Sequence, residues 1–139
     1  MADYSRKHPV GTPPDPVVAG ALTARAADGR ITCATALKLA GDLGVPPSLV
    51  GDTADLLEIR IVACQMGLFG YKPHKKIVVP ASEVPEYLRR AIETAVADGA
   101  IDCASCLGVA EALSLQPMDV SAACEHLELK IVRCQIGAF

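Results

Sequence analysis

Four of the six cysteines in this chain form two pairs at the same spacing. Cys33 and Cys64 recur 70 positions later as Cys103 and Cys134. Thiolates bind zinc and iron, and a structural zinc site needs about four such ligands, which the two pairs would supply together. Free cysteine is also among the most buried residue types and packs as a small apolar side chain. We therefore expect burial at these four positions, with metal binding and redox chemistry as alternatives, and no cofactor.

The other two cysteines, Cys106 and Cys124, give a weaker chemical signal. Cys106 forms a Cys-x-x-Cys motif with Cys103, but there is no second motif at zinc-ribbon spacing and no thioredoxin-like strand–helix–strand context. Both residues stand where the first half of the chain has alanine, for example Ala36 for Cys106, which is an ordinary core variation. Phosphate-loop, dinucleotide, kinase and hydrolase motifs are absent. The sequence therefore predicts a protein that is not an enzyme.

The cysteine pairs belong to a duplication of a whole module. Residues 17–69 and 87–139 share 20 identities in 53 ungapped pairs. Each copy is near the lower size limit for an independent core. Hydrophobic residues make up 51% of the chain but aromatic ones only 4%, which suits short helices packed through small aliphatic side chains. We expect the two copies to pack on each other as an internal pseudo-dimer.

Each copy is predicted to be mainly α-helical with short β-strands. Asp28-Gly29 offers a glycine that accepts the left-handed conformation of a helix stop. Thr32 and Asp102 can cap the second helix of each copy, and Ser82 the first helix of the second copy. Periodicity gives these ranges: helix one over 17–27 and 84–97, helix two over 34–43 (Leu37, Ala40 and Leu43 facing the core) and 104–113, helix three over 48–57 and 118–127, and a strand over 58–64 and 128–134.

The chain is expected to have four segments. Residues 1–16 contain four prolines and predict an extended tail. Repeat module 1 covers 17–70 and repeat module 2 covers 83–139. The 71–82 bridge has three lysines and no acid, which is typical of a solvated basic linker.

The order of helix, short extended piece, helix, tight turn, helix and strand resembles a helix-turn-helix domain of the winged-helix type. The resemblance covers Ala34 to Leu57 and Ala104 to Leu127, and includes Gly44-Val45 after helix two. It implies that helix three enters the major groove of DNA, where Arg, Lys, Asn or Gln would contact bases and phosphates.

Helix three is acidic instead, and this weakens the DNA interpretation. Carboxylates facing phosphates would repel them, although acidic residues also simply solvate an exposed helix face. We expect a non-enzymatic protein-binding or regulatory module, with a tandem DNA-binding regulator and a cysteine-based metal or redox protein as alternatives. The polar positions of helix three are Ser48, Asp52, Thr53 and Asp55 in the first copy and Asp119, Ser121, Glu125 and His126 in the second; the candidate partner-binding residues are Asp52, Asp55, Glu125, His126, Lys72, Lys75 and Lys76.

Hydropathy and the start of the sequence bear on location. No run approaches the roughly 18 apolar residues of a membrane span, and residues 1–8 lack the apolar stretch of a secretory signal. We expect no membrane partner and a cytoplasmic protein, in which thiols are kept reduced.

Overall fold

The computed structural model describes residues 13–72 and 76–137. Within them the chain is mainly helical with short strands, so the predicted fold class is confirmed. None of these helices is long and apolar enough to cross a membrane. The elements in chain order are α1 (Pro16–Arg25), β1 (Arg30–Thr32), α2 (Cys33–Leu43), α3 (Pro47–Leu56), β2 (Arg60–Val62), α4 (Glu86–Ala95), β3 (Ala100–Asp102), α5 (Cys103–Leu113), α6 (Pro117–His126) and β4 (Lys130–Val132).

The chain divides into two compact units. Of the described residues, unit 1 contains 13–64 and 135–137, and unit 2 contains 65–72 and 76–134. This division differs from the predicted boundary at residue 70 and the predicted linker over 71–82. The reason is that the short segment after each second strand belongs to the unit built from the other copy. Sequence similarity locates a repeat, whereas long-range contacts decide which unit a segment completes.

Two three-residue strands pair in parallel in each unit. In unit 1, Ile31 lies opposite Ile61, and in unit 2 Ile101 lies opposite Ile131. Parallel strands need a long crossover connection, which α2 and α3 provide in unit 1 and α5 and α6 in unit 2. The sequence indicates these strands but not their pairing.

The second helix of each unit begins at a capping side chain, as predicted. The Thr32 hydroxyl accepts a hydrogen bond from the Thr35 N–H at 3.2 Å. In unit 2 the Asp102 carboxylate accepts one from the Ser105 N–H at 2.7 Å. Such bonds satisfy backbone donors that the first helical turn leaves without partners. At the other end of α2, Gly44 is left-handed with a φ of 65° and leads into the turn before α3.

The Asp28-Gly29 pair does not end the first helix, which corrects the prediction. Helix α1 already ends at Arg25, and Asp28 and Gly29 have φ values of 51° and 72°. The Ala27 N–H donates to the Arg30 carbonyl at 2.9 Å, and the Arg30 N–H donates back at 3.0 Å. Two consecutive residues with positive φ form a tight reversal that directs the chain into β1.

The starts of α1, α4 and α3 also differ from the predictions. Helix α1 begins inside the predicted tail, because the Asp15 carboxylate accepts from the N–H groups of Val17 and Val18 and caps it; residues 1–12 lie outside the described residues. Helix α4 follows Pro85 rather than Ser82. Helix α3 starts at Pro47, not Ser48. Proline is favoured at a first helical position, where its missing N–H is not needed.

Small aliphatic side chains fill the interiors. Leu22, Leu39 and Val50 are fully buried in unit 1. On α2 the most buried residues are Ala36 and Leu39, whereas the predicted Leu37 is only half-buried. The helix is therefore rotated slightly from the predicted face, because its inner side meets α1 and α3 together. The fully buried counterparts in unit 2 include Ile92, Ile101, Cys106, Val120 and Cys124.

Candidate functional site

Helix α6 of unit 2 holds an extended piece of its own chain, the 76–82 segment. The Lys76 ammonium forms an ion pair with the Glu125 carboxylate. The Ala81 N–H donates to the Ala122 carbonyl oxygen at 3.0 Å. The Ala81 carbonyl oxygen lies 2.7 Å from His126 Nδ1, so the tautomer that is protonated on Nδ1 donates to it. One helix face thus binds both an extended backbone and a basic side chain.

The start of the 76–82 segment is fixed by a second set of contacts. The N–H groups of Ile77 and Val78 both donate to the Gly67 carbonyl, at 2.8 and 3.2 Å. Val78 is buried. Gly67 has a φ of 72°, and the position of a Cβ there would lie 3.2 Å from both the Val78 nitrogen and the Met118 methyl group. Glycine is therefore suited to this close approach.

A cleft of about 400 Å³ lies beside these contacts in unit 2. Its volume falls within the range of small-molecule sites. Its lining is partly apolar and partly charged, and the charged side chains are two lysines and two glutamates. The lining residues are Leu68, Lys76, Glu125, Glu128, Leu129, Lys130 and Ile131.

The candidate partner-binding residues fall into two groups. Lys76, Glu125 and His126 meet in unit 2 through the 76–82 segment. Asp52 and Asp55 both lie on α3 of unit 1, where Asp52 is exposed and Asp55 half-buried. Lys72 is exposed, and Lys75 lies outside the described residues.

Two polar residues of helix three face inward instead of lining the surface. Thr53 is 1% exposed and donates its hydroxyl to the Leu49 carbonyl at 2.7 Å. Ser121 is fully buried, and its Oγ has no hydrogen-bond partner among the described residues. Asp119 lies within the first turn of α6, and its carboxylate accepts a hydrogen bond from the Gln116 N–H. The exposed face is accordingly narrower than the sequence indicates.

The repeated cysteine pairs lie at corresponding ends of the two parallel ladders. Cys33 follows Thr32 directly, and Cys64 comes two residues after Val62, the register partner of Thr32. Both thiols are 3% exposed. In unit 2, Cys103 is buried and Cys134 half-buried. No group of three or more metal-binding side chains occurs within residues 13–72 and 76–137.

Two further cysteines, Cys106 on α5 and Cys124 on α6, are fully buried on helices that pack together, and they were not predicted as a pair. The neighbouring Cys124 thiol, followed by burial, raises the pKa of Cys106. The signal in the sequence was the joint replacement of Ala36 and Ala54 by cysteine.

No family model, curated protein or solved structure matches this chain.

Proposed function

We propose that this protein is a non-enzymatic module that binds an extended, basic segment of a partner protein along α3 of unit 1. The observation that carries the proposal is the 76–82 segment, which α6 of unit 2 holds by an ion pair and backbone hydrogen bonds. Helix three of this fold is therefore suited to hold an extended chain.

The repeat relates the two helix-three faces residue by residue. Asp55 stands where α6 has Glu125, so both helices carry a carboxylate at the position that pairs with Lys76. Asp52 stands at the position of Ala122, whose carbonyl accepts from the segment. The backbone carbonyl is present at this position whatever the side chain is, and the Asp52 side chain adds an exposed negative charge. Leu56 stands in unit 1 where α6 has His126. An apolar contact would therefore replace the hydrogen bond that His126 makes to the bound segment.

The chemistry of the bound segment indicates the partner. The 76–82 segment reads Lys-Ile-Val-Val-Pro-Ala-Ser. A matching partner segment would carry Lys or Arg at one end, β-branched residues in the middle and small residues at the other end. We place this binding in the cytoplasm, where the six thiols of the chain remain reduced.

DNA recognition receives less support from the same helices. A short turn joins α2 to α3, as the resemblance to a helix-turn-helix domain implies. However, α3 and α6 contain no Lys or Arg, and each contains two carboxylates. Phosphate binding draws its affinity from cations that release counterions, so these helices lack the residues that binding requires.

A labelled peptide with the sequence of residues 76–82 provides the test. We expect saturable binding to the intact protein in fluorescence anisotropy, and at least about tenfold weaker binding to the Asp52→Lys/Asp55→Lys double variant, a difference of about 1.4 kcal/mol. Glu111→Lys is the control, because it makes the same change of sign on an exposed residue of α5. A peptide whose lysine is replaced by glutamate should bind more weakly.

Other outcomes would redirect or reject the proposal. Equal binding by the double variant and the control would reject α3 as the site. Loss of binding only in Glu125→Lys would assign the peptide to unit 2. Tight, sequence-dependent binding of duplex DNA at about 150 mM salt, where charge screening is strong, would favour the regulator instead.

A further inference from the structure

The offset that relates the two copies also holds for the chain in front of each first helix. Helix α1 begins at Pro16 and α4 at Glu86, 70 positions later. The 76–82 segment, which α6 holds, comes shortly before α4. At the same offset lie residues 6–12, which read Arg-Lys-His-Pro-Val-Gly-Thr. Both segments begin with a basic residue and end with a small residue followed by a residue with a hydroxyl group.

The charges of the 6–12 segment complement the face of α3. In unit 2, the Lys76 ammonium pairs with the Glu125 carboxylate. Arg6 stands at the position of Lys76. Asp55 of α3 stands at that of Glu125. Arginine can hold a carboxylate with two parallel hydrogen bonds, whereas lysine acts as a point charge. The first copy thus keeps both members of the ion pair, with a cation of more specific geometry.

The proline of the 6–12 segment is compatible with the backbone hydrogen bonds of this arrangement. Pro9, which has no N–H, stands at the position of Val79. Val79 is 72% exposed, and its N–H donates to no described residue. The N–H groups that the 76–82 segment does use are those of Ile77, Val78 and Ala81. None of their counterparts is proline, so each retains its N–H group; they are Lys7, His8 and Gly11.

The packing of the first helices gives the two segments the same reach. Helix α1 packs on α3 in unit 1, as α4 packs on α6 in unit 2. Helices α1 and α4 both have 10 residues. A segment at the same distance in front of each helix can therefore reach the same part of helix three.

Open space beside Gly137 corresponds to the space that the 76–82 segment fills beside Gly67. These glycines are counterparts in the repeat, with φ values of 75° and 72°. A Cβ at Gly67 would lie 3.2 Å from the Val78 nitrogen, whereas no atom of the described residues lies within 4 Å of a Cβ at Gly137. Within the described residues, unit 1 therefore leaves room where unit 2 holds an extended chain.

We infer that residues 6–12 of this chain bind along α3 of unit 1 in the way that α6 holds its own segment. Arg6 pairs with Asp55, as the cation and the carboxylate of unit 2 do. The Gly11 N–H donates to the Asp52 carbonyl, which matches the backbone hydrogen bond between the segment and α6.

The other contacts follow from the same comparison. The N–H groups of Lys7 and His8 donate to the Gly137 carbonyl, as their counterparts do in unit 2. Leu56 stands in place of His126, so the hydrogen bond from a histidine is lost. Residues 6–12 are therefore held by one hydrogen bond fewer than the segment of unit 2, and a competitor displaces them more easily.

This docking regulates the α3 face, a consequence that rests on the proposed binding of a basic partner segment there. The partner and residues 6–12 compete for the same carboxylate. The apparent affinity for the partner is therefore reduced by the fraction of molecules in which α3 is accessible.

Amide exchange measured by NMR on the intact protein tests the docking. The N–H groups of Lys7, His8 and Gly11 should exchange with solvent about tenfold more slowly than that of Val10, after correction for local sequence. Val10 is the internal reference, because its counterpart Pro80 has no N–H and the docking does not use this donor. Equal exchange at all four amides would overturn the inference.

Charge reversal identifies the ion pair. Arg6→Glu should remove the protection of the three amides, and Arg6→Glu/Asp55→Lys should restore it. Lys7→Glu is the matched control, because it makes the same change of charge at the next residue, whose counterpart Ile77 is uncharged. This control should keep the protection of His8 and Gly11. Neither single substitution alters a described residue. Equal loss of protection in both would show a general attraction between a basic segment and an acidic helix, and would overturn the docking by residue.

The labelled 76–82 peptide separates this inference from the proposed function. Arg6→Ala should bind the peptide more tightly than the parent, by up to the factor that protects the amides, because the same opening exposes α3. No peptide binding in either protein, with protected amides, would reject the proposed function and support the docking. Equal peptide binding in both would overturn the competition. Unprotected amides beside equal binding would overturn the docking as well and support the proposed function.

Discussion

Replacing Gly51 by alanine tests how closely the 135–137 segment lies against α3 in unit 1. A Cβ atom at Gly51 would lie 1.7 Å from the Ile136 carbonyl oxygen and 2.7 Å from its carbonyl carbon. Real Cβ atoms essentially never come within 3.0 Å of another heavy atom. Both partners belong to the backbone, so no side-chain rotation relieves the clash. The 135–137 segment must therefore move away from the helix.

Two opposing contributions set the size of the effect. Alanine in a helix is favoured over glycine by about 0.5–1 kcal/mol. Moving the segment exposes the Ile136 side chain, which is now 3% exposed, and burying such a side chain contributes about 1.5–3 kcal/mol. The loss exceeds the gain. We expect Gly51→Ala to lower the free energy of unfolding by about 1–2 kcal/mol, within the usual range for overpacking.

Urea unfolding followed by circular dichroism measures this difference, and Gly20→Ala is the matched control. Gly20 lies within α1 of the same unit, and no atom of the described residues lies within 4 Å of its Cβ position, so this variant should gain about 0.5–1 kcal/mol. Ile136→Ala alone should lose about 2–5 kcal/mol. In the Gly51→Ala background it should lose much less, because the side chain has already left its site. Strictly additive losses, or a Gly51→Ala protein as stable as the control, would refute the reasoning.

Further predictions concern a helix cap, a buried hydroxyl and a repeated thiol. The hydrogen bonds from the Ser105 side chain and backbone lower the pKa of Asp102, so its charge stabilises α5 above about pH 4, and this benefit disappears as the pH falls through the folded pKa. Asp102→Thr, which copies the Thr32 cap, should remove this pH dependence from thermal melts. Ser121→Ala removes a buried hydroxyl that no described residue hydrogen-bonds and should raise the unfolding free energy by about 1 kcal/mol; a decrease in calorimetry would contradict this. Cys33→Ala should lower stability by about 1 kcal/mol with unchanged metal content, and stoichiometric zinc or iron that is lost in the variant would refute packing as its role.

The second and third helices of each unit and the turn between them could be predicted because their signals are local. Thr32 and Asp102 cap the helices that follow them, and Gly44 ends α2 in the left-handed conformation that glycine favours. The same local reasoning was wrong at Asp28-Gly29. A glycine with positive φ suits both a helix stop and a tight reversal, and the bonds between Ala27 and Arg30 select the reversal.

Contacts between segments that are distant in the chain were harder to predict from the sequence. Nothing local specifies that β1 pairs with β2 in parallel, since the partners are 30 residues apart in the chain. The candidate site shows the same limit. Lys76 and Glu125 were both nominated from their charge, but their ion pair spans 49 residues. Their apposition depends on how the 76–82 segment packs, and no periodicity in the sequence reports that packing.

The membership of the 135–137 segment in unit 1 has a consequence for the order in which the protein is built. During synthesis, all the described residues of unit 2 precede this segment. A nascent chain can therefore contain every described residue of unit 2 while unit 1 still lacks Ile136. Contacts between residues so distant in the chain form late, because a long loop must close first. Gly51, near the middle of the first copy, thus acquires its last neighbour only when the ribosome has passed through the second.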